Sequence, residues 1–154
     1  MSDATIVRLY DALNRRDGAA AAACYTPDAV FEDPAFGRLE GGEVREMWQM
    51  LTASSPDLQV TLREHGADGE RGWARWSARY TFTQTGNQVV NEIDTQIRFE
   101  GELIAEQVDT FALRRWGRQA LGRKGAMLGA TGLLGPMVRR QARSRLAGHI
   151  ARNG

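Results

Sequence analysis

Apolar residues recur at helical spacing at the start of the chain. Ile6, Val7, Tyr10 and Leu13 fall on one face, between a cap at Ser2 or Asp3 and a stop at Asp17-Gly18. The alanine-rich run AAAAACY predicts a short second helix ended by Thr26-Pro27-Asp28, with Cys24 and Tyr25 turned inward. The stretch VFEDPAFGRLEG reads as a strand carrying two adjacent acids, Glu32 and Asp33, and closed by Pro34. GGEVREMWQML predicts a third helix with Val44, Met47, Trp48 and Leu51 on one face, entered through the Gly41-Gly42 loop. From Leu58 to Phe111 the period changes from helical to alternating. Four strands are expected: LQVTLREHG, WARWSARYTFT, VVNEIDTQIRF and LIAEQVDTF, the later ones joined by turns at Thr85-Gly86-Asn87 and Glu100-Gly101. In WARWSARYTFT, Ala74, Trp76, Ala78, Tyr80 and Phe82 share a buried face, opposite Arg75, Ser77, Arg79, Thr81 and Thr83. Short turns predict an antiparallel sheet, and the order of elements predicts an α+β fold, a curved sheet wrapped around helices with a cavity between them.

Composition narrows the function classes. With 154 residues, 42% of them hydrophobic and 25% charged, the chain fits one domain with a real core. No apolar run approaches the roughly 20 residues of a membrane-spanning helix. The N-terminal stretch carries acids where an export signal would carry basic residues, so a soluble, cytoplasmic protein is expected. Cys24 is the single cysteine and is read as a small core residue; His65 and His149 are read as solvated. These residues give no metal-ligand cluster and no catalytic triad, so neither a metal nor another cofactor is expected. No phosphate-cradling glycine motif follows a strand.

Several elements agree in order and spacing with a known family. LYDALNRRDGAAAAACYTPDAVFEDPAFGRLEGGEVREMW and, later, EGELIAEQVDTF make residues 4–113 resemble the nuclear transport factor 2-like superfamily, which includes ketosteroid isomerases and SnoaL-like cyclases. The resemblance implies a cone-shaped domain over 1–113, its curved antiparallel sheet wrapped around the N-terminal helices, with 114–154 as a basic, glycine-rich helical extension of the same domain. It also implies a homodimer.

The resemblance marks three acids. Glu32-Asp33-Pro34 stands where ketosteroid isomerases carry their catalytic base, which makes Asp33 the candidate for proton abstraction next to a carbonyl. The alternative is an Asp33 that only turns the chain before Pro34. Asp94 matches the isomerases' second acid, a group kept protonated to donate to the enolate oxygen; the handling of such an acid is a known pattern for that enzyme family. Strict alternation instead puts Asp94 with Glu92, Gln96 and Arg98, opposite Ile93, Thr95, Ile97 and Phe99, so a bulge near Thr95 is required to turn it inward. The isomerases' helix tyrosine is replaced by Leu9; Tyr10 lies about 100° away around the helix and does not substitute for it. Asp109 lies near the acid of SnoaL-like cyclases, although the best match to that acid falls on Ala112, and Asp109 is open to pairing with a tail arginine. Tyr10, Tyr25, Phe36, Trp48, Trp76, Tyr80, Phe82, Phe99 and Phe111 are expected to form core and cavity wall, suited to a small apolar molecule.

Charge sets the last segment apart. All 19 acids precede residue 114, whereas ten of the 20 basic residues lie in 114–154. Between Lys124 and Arg139 the chain is uncharged, with Gly125, Gly129, Gly132 and Gly135 at near-helical spacing. This segment is expected to close the pocket mouth, its arginines meeting the acidic body, or to pack on a dimer partner; peripheral contact with an anionic membrane through 114–154 is a further option. Trp116 is its one aromatic residue and it carries no recognised motif, so no nucleic-acid partner is expected. Two classes of function follow: a cofactor-independent isomerase, cyclase or lyase acting on an apolar carbonyl compound, and a non-catalytic pocket for a hydrophobic ligand.

Overall fold

The computed structural model describes residues 2–153. Helix α1 (Ser2–Asn14) buries Ile6, Leu9, Tyr10 and Leu13, a stripe of spacing three and four. Val7, one step off that stripe, is left exposed. Helix α2 (Gly18–Ala22) is shorter than predicted: the Asp17 carboxylate caps it by accepting from the Ala20 N–H at 3.0 Å, and Tyr25 already opens strand β1 (Tyr25–Asp33). Pro27 therefore lies within a strand, at the irregularity between Tyr25 and Val30 where the ladder loses register and no N–H is needed.

The stretch predicted as one strand is a hairpin. Asp33 ends β1, Pro34 to Phe36 turn the chain, and β2 (Gly37–Glu40) returns with Phe31 opposite Leu39. Helix α3 (Gly42–Ser54) follows, and then β3 (Gln59–Asp68), β4 (Arg71–Phe82), β5 (Asn87–Glu100) and β6 (Leu103–Thr110), as the alternation predicts. Gly86 and Gly101 take left-handed φ values of 78° and 61° in the connecting turns, which only glycine adopts without strain. The six strands are ordered β2-β1-β6-β5-β4-β3. Every neighbouring pair is antiparallel except β1 and β6, which run parallel with Phe31 beside Gln107. The β3–β6 meander is antiparallel as expected, and β1 adds one parallel pair: β1 finds its neighbour only after the whole β3–β5 meander has been made, and alternation reveals a strand's face, not its partner.

Beyond β6 the chain forms three helices: α4 (Leu113–Leu121), α5 (Arg123–Thr131) and α6 (Leu134–Asn153). Helix α4 is fastened to the sheet. The Gln119 amide exchanges bonds with Val90 N–H and C=O at 2.7 and 3.1 Å, and the Ala120 carbonyl accepts from Thr85 Oγ1 and Asn87 Nδ2 at 2.6 and 3.1 Å. Helices α4 and α5 meet through glycines, since a Cβ on Gly125 would lie 1.9 Å from the Gly117 carbonyl oxygen. Pro136 falls in the first turn of α6, where a missing N–H costs nothing. Helix α6 packs on α3, and its Leu146 joins the main core.

The tail arginines do not meet the acidic body as expected. Arg139 and Arg143 donate to the Pro34 and Arg38 carbonyls at 3.4 and 2.6 Å, and among the described residues no arginine of the tail forms an ion pair. Among the described tail side chains, His149 lies against an acid, its Nε2 3.1 Å from Glu46 on α3. Neither histidine is simply solvated: His65 Nδ1 sits 2.6 Å from Asp3. Among the described residues no helix is long and apolar enough to cross a membrane.

Candidate functional site

The sheet, α3 and the tail enclose a cavity of about 190 Å³. Six of the aromatics expected at its wall are there: Phe36, Trp48, Trp76, Tyr80, Phe82 and Phe111. Tyr10, Tyr25 and Phe99 are not on the wall; all three are buried in the core. The tail contributes the far side through Trp116, Leu121, Val138 and Ala142. Trp116 meets Phe82 edge to face at 5.4 Å and donates its indole N–H to the Tyr80 hydroxyl at 2.7 Å, which leaves the Tyr80 proton free for the cavity.

Two carboxyls face this space, Asp33 and Asp109. Asp33 holds the turn and lines the cavity at once. Its Oδ1 accepts from the Ala35 and Phe36 N–H groups at 2.9 and 2.6 Å, holding the turn after Pro34, while the side chain lines the cavity. Burial pushes its pKa up to about 6, against the lowering effect of those two bonds. Asp109 is inward-facing on β6 and only 4% exposed. Its Oδ1 accepts from Thr95 Oγ1 at 2.7 Å and Gln107 Nε2 at 3.0 Å. Burial pushes its pKa up to about 7, the Gln107 and Thr95 bonds oppose the rise, and the negative charge of Asp33 adds to it.

A buried hydrogen-bond network stands behind Asp109. Thr95 Oγ1 accepts from Trp76 Nε1 at 2.9 Å and from Tyr10 Oη at 3.3 Å, so its own proton is directed to Asp109. On the other side Trp48 Nε1 donates to Tyr25 Oη at 2.8 Å, and Tyr25 donates to Gln107 Oε1 at 2.6 Å, which turns the Gln107 amide N–H toward Asp109. In both carboxyls the bonds fall on Oδ1, and Oδ2 makes none among the described residues. A proton on Asp109 therefore sits on Oδ2, because Oδ1 is already an acceptor twice over. Asn91, buried on β5 and on the cavity wall, has no side-chain partner among the described residues and offers a further amide to the cavity.

Asp94 is not in the site. It projects from the outer face of β5, pairs with Arg75 at 3.4 Å and is 66% exposed. The bulge needed to turn it inward is absent at Thr95; the irregularity of the β5–β6 ladder falls between Arg98 and Phe99, beyond it. Strand parity prevails, and the buried inward position goes to Thr95. Leu9 is wholly buried and Tyr10 reaches Asp109 only through Thr95, so α1 presents no hydroxyl to the cavity. The residues not foreseen are Thr95, Gln107, Asn91 and Trp116. For the first three a signal existed: each is a polar residue at an inward position of a strand whose other inward positions are mostly apolar. Trp116 had none, because its partner lies 36 residues away. Cys24 is buried, and burial pushes its thiol above the ordinary range, which suits the core role. Among the described residues no group of three His, Cys, Asp or Glu side chains is placed to hold a metal ion.

Comparison with known proteins agrees with this architecture. Among solved structures, a protein of ketosteroid isomerase-like fold from Catenulispora acidiphila, in complex with trimethylamine, superposes with a TM-score of 0.66 at 18% identity, over 75% of this chain and 91% of its own. IdmH, a putative polyketide cyclase from Streptomyces antibioticus, gives 0.65 at 21% identity over 77% and 97%. A putative polyketide cyclase from Xanthomonas campestris pv. campestris gives 0.65 at 19% over 77% and 95%. At these identities the likeness establishes the fold alone. No match is found among curated proteins. The family model of the SnoaL-like domain matches residues 6–107, through α1 to the middle of β6 and stopping short of the tail, and the chain belongs to the SnoaL-like family.

Proposed function

We infer that the protein is a cofactor-independent acid–base catalyst acting on an apolar carbonyl compound, as an isomerase, cyclase or lyase. The observation that carries this reading is the presence of two carboxyls, Asp33 and Asp109, on one apolar cavity, each held through Oδ1 with Oδ2 unengaged. Near neutral pH the pair can divide the labour. Asp33, with a pKa of about 6, is mostly ionised and accepts a proton from the carbon next to the carbonyl. Asp109, at about 7 with the Asp33 charge already felt, is about half protonated at pH 7, and this form gives its Oδ2 proton to the developing oxyanion. Asn91 and Tyr80 are further donors on the cavity wall that could serve that oxygen. Two neighbours that share this fold are putative polyketide cyclases, and carbonyl compounds as the substrate class are in keeping with them.

Exchange of carbon-bound hydrogen in D₂O tests the reading without assuming a net reaction. Apolar ketones and β-dicarbonyl compounds, including a β,γ-unsaturated 3-ketosteroid, are incubated with the protein and followed by NMR. Exchange above background that is lost in Asp33→Asn is the expected result. Binding of the same compounds with no exchange in wild type leaves the cavity as a ligand-binding pocket only.

A further inference from the structure

Three charged side chains line the cavity: Asp33, Asp109 and, from α6, Arg145. Its neighbours Arg139 and Arg143 spend their donors on the Pro34 and Arg38 carbonyls, whereas Arg145 has no ion pair or hydrogen bond among the described residues. It stands at a junction. A second hollow of about 350 Å³ runs between α3 and α6, and Met50, Ser54 and Arg145 belong to the walls of both spaces. On the α6 side, Arg145, His149 and Arg152 are spaced at i, i+4 and i+7, so they share one face and all look into this groove. Ser54 and Ser144 add hydroxyls, and among the described residues no carboxylate lines it. Glu46 lies behind, 3.1 Å from His149 Nε2, and would match the charge of a protonated His149. Among the described residues Arg145 and Arg152 have no counter-charge.

Size points the same way. The apolar cavity alone, about 190 Å³, falls below the ~300–1,000 Å³ of ordinary small-molecule sites, whereas the cavity and the adjoining groove of about 350 Å³, taken together, fall within it. Arg145 is exposed at the edge of the cavity, so a wholly apolar ligand filling the cavity would leave its guanidinium to water and gain nothing from it. A ligand with an anionic end would meet a planar, bidentate donor at the junction and a second one further along the groove.

We propose that the substrate is an amphipathic acid, whose apolar carbonyl-bearing part occupies the cavity beside Asp33 and Asp109 and whose anionic group, a carboxylate or a phosphate, lies in the α3–α6 groove between Arg145 and Arg152. This rests on the cavity being the ligand site, as read above, and adds what the tail selects. Because the tail lies outside the segment matched by the family model, this selectivity belongs to this chain's own extension.

The test is binding by calorimetry of three compounds of one shape: 2-naphthoate, 2-naphthyl phosphate and methyl 2-naphthoate. Wild type, Arg145→Gln and, as a control off the cavity wall, Arg143→Gln are compared. At least one anion should bind about tenfold or more tighter than the ester, as a charge-assisted bidentate contact would give. Arg145→Gln should abolish that advantage while leaving ester affinity within about twofold, and Arg143→Gln should keep it. Preference for naphthoate assigns a carboxylate, and preference for naphthyl phosphate assigns a phosphate. Equal binding of all three by wild type, equal weakening of all three by Arg145→Gln, or no binding of any overturns the proposal. Catalysis does not enter these readouts, so an anion preference without hydrogen exchange would sink proton transfer and leave the acid-binding groove standing.

Discussion

The sheet body and the helical tail contribute to one cavity in different ways. The body supplies the carboxyls and the network that holds them: Asp33 from the β1–β2 turn, Asp109 from β6, Thr95 and Gln107 behind it. The tail supplies enclosure and charge: Trp116 against Phe82 and Tyr80, Val138 and Ala142 over the opening, Arg145 at its edge. Chemistry is thereby separated from access. A rigid hydrogen-bonded sheet fixes reacting groups, while a small-residue helical layer can change what reaches them.

That division can be broken from either side. Asp33→Asn is expected to have the largest effect, a loss of about 10²–10⁴-fold in hydrogen exchange, with the fold intact because the amide oxygen still accepts from Ala35 and Phe36. Asp109→Asn should lower the rate as well, and its effect on stability has a defined sign. A carboxyl whose folded-state value is raised to about 7 binds more protons in the folded than in the unfolded state between about pH 4 and 7, so stability falls as pH rises through that window. The asparagine variant should therefore melt at a higher temperature than wild type at about pH 8, a gain on the order of 2–4 kcal/mol that is absent near pH 4. Denaturant unfolding at both pH values measures it.

Damage to the tail should read differently. Gly125→Ala drives a methyl group onto the Gly117 carbonyl oxygen, and a cost of about 1–3 kcal/mol is expected, with early proteolytic cleavage after β6 and weaker ligand binding while the body persists. At the small end, Asp94→Asn removes an exposed pair with Arg75 and should change stability by less than about 1 kcal/mol and exchange not at all. A large rate loss in Asp94→Asn would mean that the inner and outer faces of β5 have been misassigned.

The strands from β3 to β6 were legible because local alternation and turn glycines record which face is buried. The same alternation correctly opposed the family resemblance at Asp94, where parity put the side chain outside. What alternation cannot record is pairing between distant segments. Hence the sequence pattern runs β2 into β1, carries no sign of the parallel β1–β6 pair, and marks Pro27 as a helix stop where the fold has a strand irregularity. The site shows the same limit. Asp33 stood out through its local Glu-Asp-Pro step, but its company was set by tertiary contacts: Asp109 is 76 positions away in sequence, and the donors that hold Asp109 arrive from β5 and β6. In the tail, glycine spacing announced close helix packing but not which surface the helices would cover.

The acid–base pair itself is most directly tested by NMR titration of the Asp33 and Asp109 side-chain carboxyls, in wild type and in Asp33→Asn. Two elevated midpoints, about 6 and about 7, are expected, with the Asp109 midpoint falling once the Asp33 charge is removed. Midpoints near the ordinary carboxylate value of about 4 for both groups, unchanged by the substitution, would contradict a shared apolar site.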